Sequence, residues 1–457
     1  MIHRQMDPSN DNAAASLKLD YDPRAVGDRD MPAPGARKAL TLLLAINLFN
    51  YVDRYVLAAV EPKVQEQFFR SSDPNAEFLM GSLATAFMVS YMLAAPVFGW
   101  LADRMSRWLL VGVSVLLWSL ATGASGLAGT FTILLITRLF VGVGEAGYGP
   151  AAPTIIADLY PLARRGAVLS WFYAAIPVGS ALGYAMGGLV ADHYDWRHAF
   201  YVVVPPGLLL AVLCFFMRDP RRGQVDAGAS AIGRAATSKP ARKASTGDYL
   251  MLLKTPSYVL DCLGMAAMTF AIGGIAYWMP KYLLTRPHTG NLGQINVIFG
   301  AITVFAGFTA TLAGGWVGDK LKARFPSSYF LVSGIAMLIA CPLILLMLWM
   351  PFPLAWGVMF LAVFFLFFNT GPSNTILANV THPSIRATAF AINILVIHAL
   401  GDATAPPILG KIGHYSWNAA FMLVAAVMAL AGLFWLWGCR YLAADTAAAP
   451  HRLGEGP

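Results

Sequence analysis

The sequence predicts an all-α membrane protein of twelve transmembrane helices in two pseudo-symmetric six-helix bundles. Three observations carry that prediction. The chain has 457 residues, 57% hydrophobic and only 12% charged, whereas soluble domains carry roughly 25% charge; its mean hydropathy is +0.59. The charges are also segregated, with 12 in residues 1–40 and 11 in 218–254. Finally, the two halves repeat one another. An ordinary water-soluble fold is excluded, and at roughly 20 apolar residues per crossing the hydrophobic content supplies about twelve spans.

In chain order, residues 1–37 are polar and Asp-, Arg- and Ala-rich and read as a disordered cytoplasmic N-terminal tail. No small-residue cleavage site follows an early apolar stretch, so the first apolar run is expected to be retained. Apolar runs place spans at about 39–69, 77–102, 108–129, 131–157, 165–191 and 198–217. A second set follows at about 257–283, 292–318, 328–349, 352–379, 386–410 and 417–439. The expected units are a bundle over 38–217, a cytoplasmic linker over 218–255, a bundle over 256–440 and a C-terminal tail over 441–457.

With loops alternating sides, 24 Lys/Arg fall on the side of the termini and the linker, against six on the other: Lys63, Arg70, Arg197, Lys281, Arg286 and Lys411. The positive-inside bias makes the termini and linker cytoplasmic. The net charge of +8 is therefore topological, and no nucleic-acid partner is expected. Cys214, Cys262, Cys341 and Cys439 lie in apolar stretches without short spacing, which indicates neither a disulfide framework nor a metal site.

The repeat has an offset of about 216 to 221. GWLADRMSR (Gly99–Arg107) answers GWVGDKLKAR (Gly315–Arg324), placing Asp103 against Asp319; Arg165 answers Arg386, and WRHAF (Trp196–Phe200) answers WNAAF (Trp417–Phe421). Parallel repeats of this kind face each other around a central path, with a substrate site between them.

An ionisable group at membrane depth costs at least ~2.5 to 3.5 kcal/mol on insertion scales, so such residues face a cavity or a partner. Asp53, Arg54, Arg138 and Glu145 stand out. At 1.5 Å per residue Asp53 lies roughly 21 Å from the cytoplasmic boundary and Arg138 roughly 19 to 20 Å, with Glu145 two turns beyond Arg138 on nearly the same face, roughly 10 Å deeper toward the cytoplasm. A carboxylate, guanidinium, carboxylate column follows if the helices are neighbours, with Asp53 and Glu145 titrating and Arg138 as a movable counter-ion. A purely structural ion cluster is the alternative. Arg54 cannot share the direction of Asp53, because successive helix positions do not face each other; it serves the cluster or a second partner.

Gly179, Gly183 and Gly187 form a small-xxx-small stripe that suits close helix packing, and Pro177 can add a kink. Tyr51, Tyr148, Trp171, Tyr173, Tyr277 and Trp278 are candidates for an amphipathic pocket, though interfacial belts use the same residues. Asn369, Asn374, Asn393, His398 and Asp402 are candidate cavity-lining polar groups in the second half. Glu61, Asp158 and Asp261 lie near span ends, where a charge reaches the headgroups, and receive no transport role. No G-x-x-x-x-G-K-[ST], H-E-x-x-H or G-x-S-x-G occurs, so neither ATP drive nor these enzyme classes are indicated. No cofactor is expected; a proton gradient remains as the energy source.

The loop GWLADRMSR resembles the signature loop of the major facilitator superfamily. Within that superfamily, NYVDRYVLAAVEPKVQEQF (Asn50–Phe68), RLFVGVGEAGYGPAAPTIIADLYP (Arg138–Pro161), FYAAIPVGSALGYAMGG (Phe172–Gly188) and HALGDATAPPILG (His398–Gly410) resemble the Spinster family. Gly147, Gly149 and Pro150 stand where that family usually carries Ser, Ser and Thr. The resemblance implies the major facilitator fold and rocking of two halves about a central site. It also implies a gating role for Gly99, Asp103, Arg104 and Arg107, with Asp319 in the partial second copy, against which positive-inside anchoring is the alternative. Gly99 is expected to let a neighbouring helix approach closely. For cargo it implies proton-coupled transport of lysophospholipid or sphingolipid-like amphiphiles. Small organic anions such as sugar or aromatic acids, whose carriers share N-Y-x-D-R, and an uncoupled lipid flippase are the alternatives. A monomer in a cell inner (plasma) membrane, surrounded by membrane lipids, is the expected setting.

Overall fold

A computed structural model describes residues 31–222, 251–382 and 385–449. The expected disorder of residues 1–30, the linker core at 223–250 and the tail at 450–457 lie outside the described residues. Among the described residues there is no strand, and twelve helical segments are long and apolar enough to cross a membrane.

The first bundle consists of α1 (Ala36–Phe68), α2 (Ala76–Ala102), α3 (Arg107–Gly126), α4 (Phe131–Ala146), α5 (Tyr148–Leu159), α6 (Leu162–His193) and α7 (Arg197–Phe215). The second holds α8 (Pro256–Leu284), α9 (Leu292–Lys322), α10 (Ser328–Trp349), α11 (Leu354–Phe367), α12 (Thr370–Val380), α13 (Arg386–Ile397), α14 (Ala405–Gly413) and α15 (Trp417–Gly438). Local signals set several starts. Ser106 accepts from Leu109 N, Thr130 from Ile133 N and Ser416 from Ala419 N, and Asn291 with Gln294 forms a capping box on α9. Each satisfies amides that the first helical turn leaves without partners.

Three differences from the sequence reading matter. The fourth span is not continuous: it breaks at Gly147 between α4 and α5. A Cβ at Gly147 would stand 2.8 Å from the Phe98 ring and closer still to Ser114 Oγ, so this break needs a residue without a side chain. The eleventh span passes through a π-helical turn, His398–Asp402, between α13 and α14. Part of the expected C-terminal tail is a short helix, α16 (Leu442–Ala448), whose Asp445 accepts from Ser257 N at the start of α8.

The glycine stripe packs α6 onto α1: Cβ atoms at Gly179 and Gly183 would lie 2.5 Å from the carbonyl oxygens of Leu48 and Val52. Between bundles, α6 lies along α9 and α2 along α14. Twelve crossings put the start of α1 and the end of α15 on one side. The bundles meet at the opposite side: Thr85 Oγ1 donates to Ala403 O at 2.6 Å, Tyr277 OH to Met80 O at 2.5 Å, and Asn296 Nδ2 to Ala59 O at 3.2 Å. Gly293 N donates to Asp192 Oδ2 at 2.7 Å. Toward the termini they part. A Cβ added at Gly99 or Gly315 would meet nothing within 4 Å, and Trp100 and Trp316 are 55% and 63% exposed. The cavity between the halves is sealed away from the termini and open toward them.

Candidate functional site

The four intramembrane ionisable residues do come together in the first bundle, but not as the expected column. Asp53, Arg138 and Glu145 are buried, at 3%, 2% and 1% exposure. The direct partner of Glu145 is Arg54, whose Nε donates to Glu145 Oε2 at 2.6 Å. Arg138 makes no ion pair among the described residues; its guanidinium sits 5.5 Å from the Phe87 ring centroid, with Nε and one Nη lacking hydrogen-bond partners. It stays within electrostatic reach of both carboxylates. Asp53 instead accepts from Thr122 Oγ1 on α3 at 2.5 Å. Arg138 therefore does not bridge the two carboxylates in this conformation: the α1 helical screw turns Arg54 toward Glu145 and Asp53 toward Thr122 on α3.

Arg54 forms the polar wall of the cavity. Its guanidinium carbon lies 5.1 Å from the Tyr51 ring centroid, 5.0 Å from Phe87 and 5.2 Å from Tyr91, an arrangement in which ring quadrupoles attract the cation. A cleft of about 130 Å³ is lined by Tyr51, Arg54, Tyr55 and Phe87 from one bundle and by Ala276, Tyr277 and Asp402 from the other. Asp402 pairs with His398 Nδ1 at 3.0 Å, one turn away along the π-helical segment. The His398 ring stands edge-on to Tyr91, with centroids 6.5 Å apart. Tyr55 and Ala276 also border a smaller, apolar recess with Ile272, Phe299 and Phe367. The cleft is charged, and the small recess beside it, which shares Tyr55 and Ala276 with the cleft, is mostly hydrocarbon.

Several expected cavity residues are elsewhere. Trp278 is fully buried, its Nε1 donating to Pro406 O at 2.7 Å, so it belongs to the seal. Tyr148 is buried inside the first bundle, its hydroxyl donating to Leu43 O at 2.7 Å. Asn369 is also fully buried, donating to Leu366 O at 2.8 Å. Tyr173, 51% exposed, stays within electrostatic reach of Tyr91 beside the cleft, and Trp171 is 72% exposed. Asn393 is buried against Met265, and Asn374 donates back to Thr370 O. Sequence periodicity gives which face a residue occupies, not which neighbour covers that face.

The loop residues likewise find partners within their own half. Arg107 is buried and donates to Asp158 at 2.5 Å, to Asp219 at 3.1 Å and to Pro220 O at 2.8 Å, tying α3, α5 and the start of the linker together. Asp103 pairs with Arg222 at 3.6 Å, Arg104 stacks 4.1 Å over Trp100, and Asp319 accepts from Tyr329 at 2.7 Å. The close approach expected at Gly99 is absent, since the cavity gapes on that side.

Glu61 and Asp261 were placed by sequence near the headgroups, yet both are fully buried. Asp261 accepts from Trp435 Nε1 at 2.9 Å. Glu61 bridges the bundles: Lys281 on α8 reaches Glu61 at 3.2 Å, Glu77 at 3.5 Å and the amide oxygen of Gln65. His414 reaches Glu77 at 3.2 Å, and Lys411 reaches Asn75 at 2.9 Å. Opposite charges on facing span ends, Glu61 and Glu77 against Lys281 and Lys411, were the available signal for this seal.

Residues 43–406 match the profile of the Major Facilitator Superfamily. The chain is 36% identical over 442 residues to Protein spinster homolog 3 of Danio rerio, covering 90% of this chain and 86% of that one. It is 36% identical over 453 residues to Protein spinster homolog 1 of Homo sapiens, covering 90% and 82%. Among solved structures, a bacterial homologue of the human lysosomal transporter Spinster, in an inward-facing and occupied conformation, superposes with a TM-score of 0.75 at 21% identity, covering 90% of this chain and 99% of that one. The chain is a multi-pass membrane transporter that belongs to the major facilitator superfamily and, within it, to the Spinster family.

Proposed function

We propose that this transporter moves lysophospholipid or sphingolipid-like amphiphiles by alternating access, driven by the proton gradient. The observation that supports the substrate class is a charged cleft beside an apolar recess: Arg54 and Asp402 line the first, Phe299, Phe367 and Ile272 the second, and Tyr55 borders both. A charged head would lie against Arg54 and Asp402, and a hydrocarbon chain would run toward the apolar side as rocking of the halves widens it, whereas a small organic anion needs only the charged cleft. The Spinster relatives add weight through their similarity over most of the chain.

Coupling is assigned to Asp53 and Glu145. Both carboxylates are buried near two guanidinium groups, and burial and cation proximity act on a carboxylate's proton affinity in opposite directions. When the halves rock, cavity water and substrate reach Arg54, the Arg54–Glu145 pair loosens, and a proton is bound or released. Arg54 and Arg138 remain charged throughout and hold the anionic forms. The residues Asp103, Arg104, Arg107 and Asp319 govern the side of the termini, which we place in the cytoplasm, and the chain acts as a monomer in a cell inner membrane.

Purified protein in liposomes with an imposed pH gradient tests this. Gradient-dependent accumulation of a fluorescent lysophospholipid, abolished by Asp53→Asn with folding intact, is the expected result. Accumulation of a sugar acid instead favours the organic-anion reading, and equilibration without accumulation favours a flippase. Proton coupling preserved in Asp53→Asn overturns the assignment.

A further inference from the structure

Asp53 is held by a side chain that has so far had no role. Thr122 Oγ1 donates to Asp53 Oδ2 at 2.5 Å, and the two residues are 1% and 3% exposed. Asp53 Oδ1 is buried and has no hydrogen-bond partner. The two oxygens of one carboxylate are thus unequal, one taken up by a hydroxyl and the other open.

We propose that Thr122 is the positioning residue of the proton site: its hydroxyl holds Oδ2 of Asp53 and leaves Oδ1 as the atom that takes and releases the proton. This rests on the reading of Asp53 as a proton carrier. A hydroxyl has a single proton to donate, and here it goes to Oδ2. Protonation at Oδ1 transfers a proton from hydronium to the open lone pair and leaves Oδ2 as a carbonyl oxygen that still accepts from Thr122. Deprotonation returns it to water. The other charged groups acting on Asp53 are Arg138 and Glu145 on α4 and Arg54 beside it on α1, and none of them forms an ion pair with it among the described residues. The hydroxyl is the direct contact.

The donor is also held in place. One turn to either side, Ser119 packs against the backbone of Gly207 on α7, and Ser125 Oγ donates to Thr137 Oγ1 on α4 at 2.8 Å. Asp53 and Thr122 sit in the same bundle, so the bond is retained when the halves rock, and what changes is the surroundings of Oδ1. A hydrogen bond to a carboxylate favours its ionised form and is stronger than one between neutral groups. Removing the hydroxyl therefore makes Asp53 bind its proton more tightly.

The test is an infrared titration of purified full-length protein, following the protonated-carboxyl C=O band that Asp53→Asn removes. In Thr122→Val, which keeps the shape and lacks the hydroxyl, the midpoint of that band should move to higher pH by about one unit, a tenfold change in proton affinity. Thr122→Ser should restore it. If Thr122→Val packs poorly, Thr122→Ala removes the same hydroxyl. A purely structural threonine would lower thermal stability and leave the midpoint in place, and an unmoved midpoint overturns the proposal. If Asp53→Asn removes no titrating band, the carrier reading itself fails and takes this inference with it. If Asp53→Asn removes the band and Thr122→Val leaves its midpoint unmoved, only the role of Thr122 fails.

Discussion

Arg54 Nε and Glu145 Oε2 are 2.6 Å apart, joining α1 to the last turn of α4 directly before the break at Gly147. The Glu145 side chain is fully buried and that of Arg54 is 20% exposed on the cavity side, so the pair is built from one inaccessible anion and one cation that substrate can touch. Breaking a buried pair from one side strands a charge and costs about 3–5 kcal/mol. Arg54→Met should therefore lower thermal stability in detergent markedly, and Arg54→Met with Glu145→Gln should recover much of the loss. Additive losses in the double variant would show that the pair is not energetically coupled.

Arg107 and Arg104 are three residues apart and should behave oppositely. Arg107 is buried between Asp158, Asp219 and Pro220, and Arg107→Ala removes the guanidinium that ties these three together; a stability loss of about 1–3 kcal/mol is expected. Arg104 stacks on an exposed Trp100, so Arg104→Ala should stay within about 0.5 kcal/mol. Comparative melting curves decide it.

Gly183 and Gly99 make a second contrast. A side chain at Gly183 meets the Val52 carbonyl oxygen at 2.5 Å, whereas one at Gly99 meets nothing within 4 Å. Gly183→Val should reduce the yield of folded protein or cost at least about 1–3 kcal/mol. Gly99→Ala should leave the melting temperature unchanged. A slower transport cycle in Gly99→Ala at unchanged stability would show that the closed state on the termini side brings a helix against it.

Lys281 is the cation held by Glu61 and Glu77 in the seal. Lys281→Met leaves Glu61 buried without its counter-charge, which should shift the equilibrium away from the state sealed opposite the termini. Labelling of an Ala84→Cys cavity reporter by a membrane-impermeant maleimide, added on that side, should rise several-fold. Unchanged labelling would mean that the remaining contacts between the bundles hold the seal without Lys281.

The fold was legible because hydrocarbon leaves a chain little choice: backbone groups without water must bond within helices, so apolar runs of the right length report the spans directly. Glu61 shows the limit. Its place 25 residues into a 33-residue helix suggested headgroups, yet the seal covers it, since α1 continues past the point where α8 delivers Lys281. Asp53, Arg138 and Glu145 were recognisable as costly buried groups, but the pairing of Arg54 with Glu145 was not.

From the sequence alone came the twelve crossings, the duplicated halves, the family and the four mid-membrane charges Asp53, Arg54, Arg138 and Glu145, because each follows from hydropathy, spacing or motif along one chain. Tertiary structure decided which carboxylate meets which cation, that Thr122 holds Asp53, that Trp278 and Asn369 lie outside the cavity, and on which side the halves are joined. Those outcomes depend on how helices distant in sequence are rotated and packed against each other, and helical periodicity fixes the face a side chain occupies without fixing what stands opposite it.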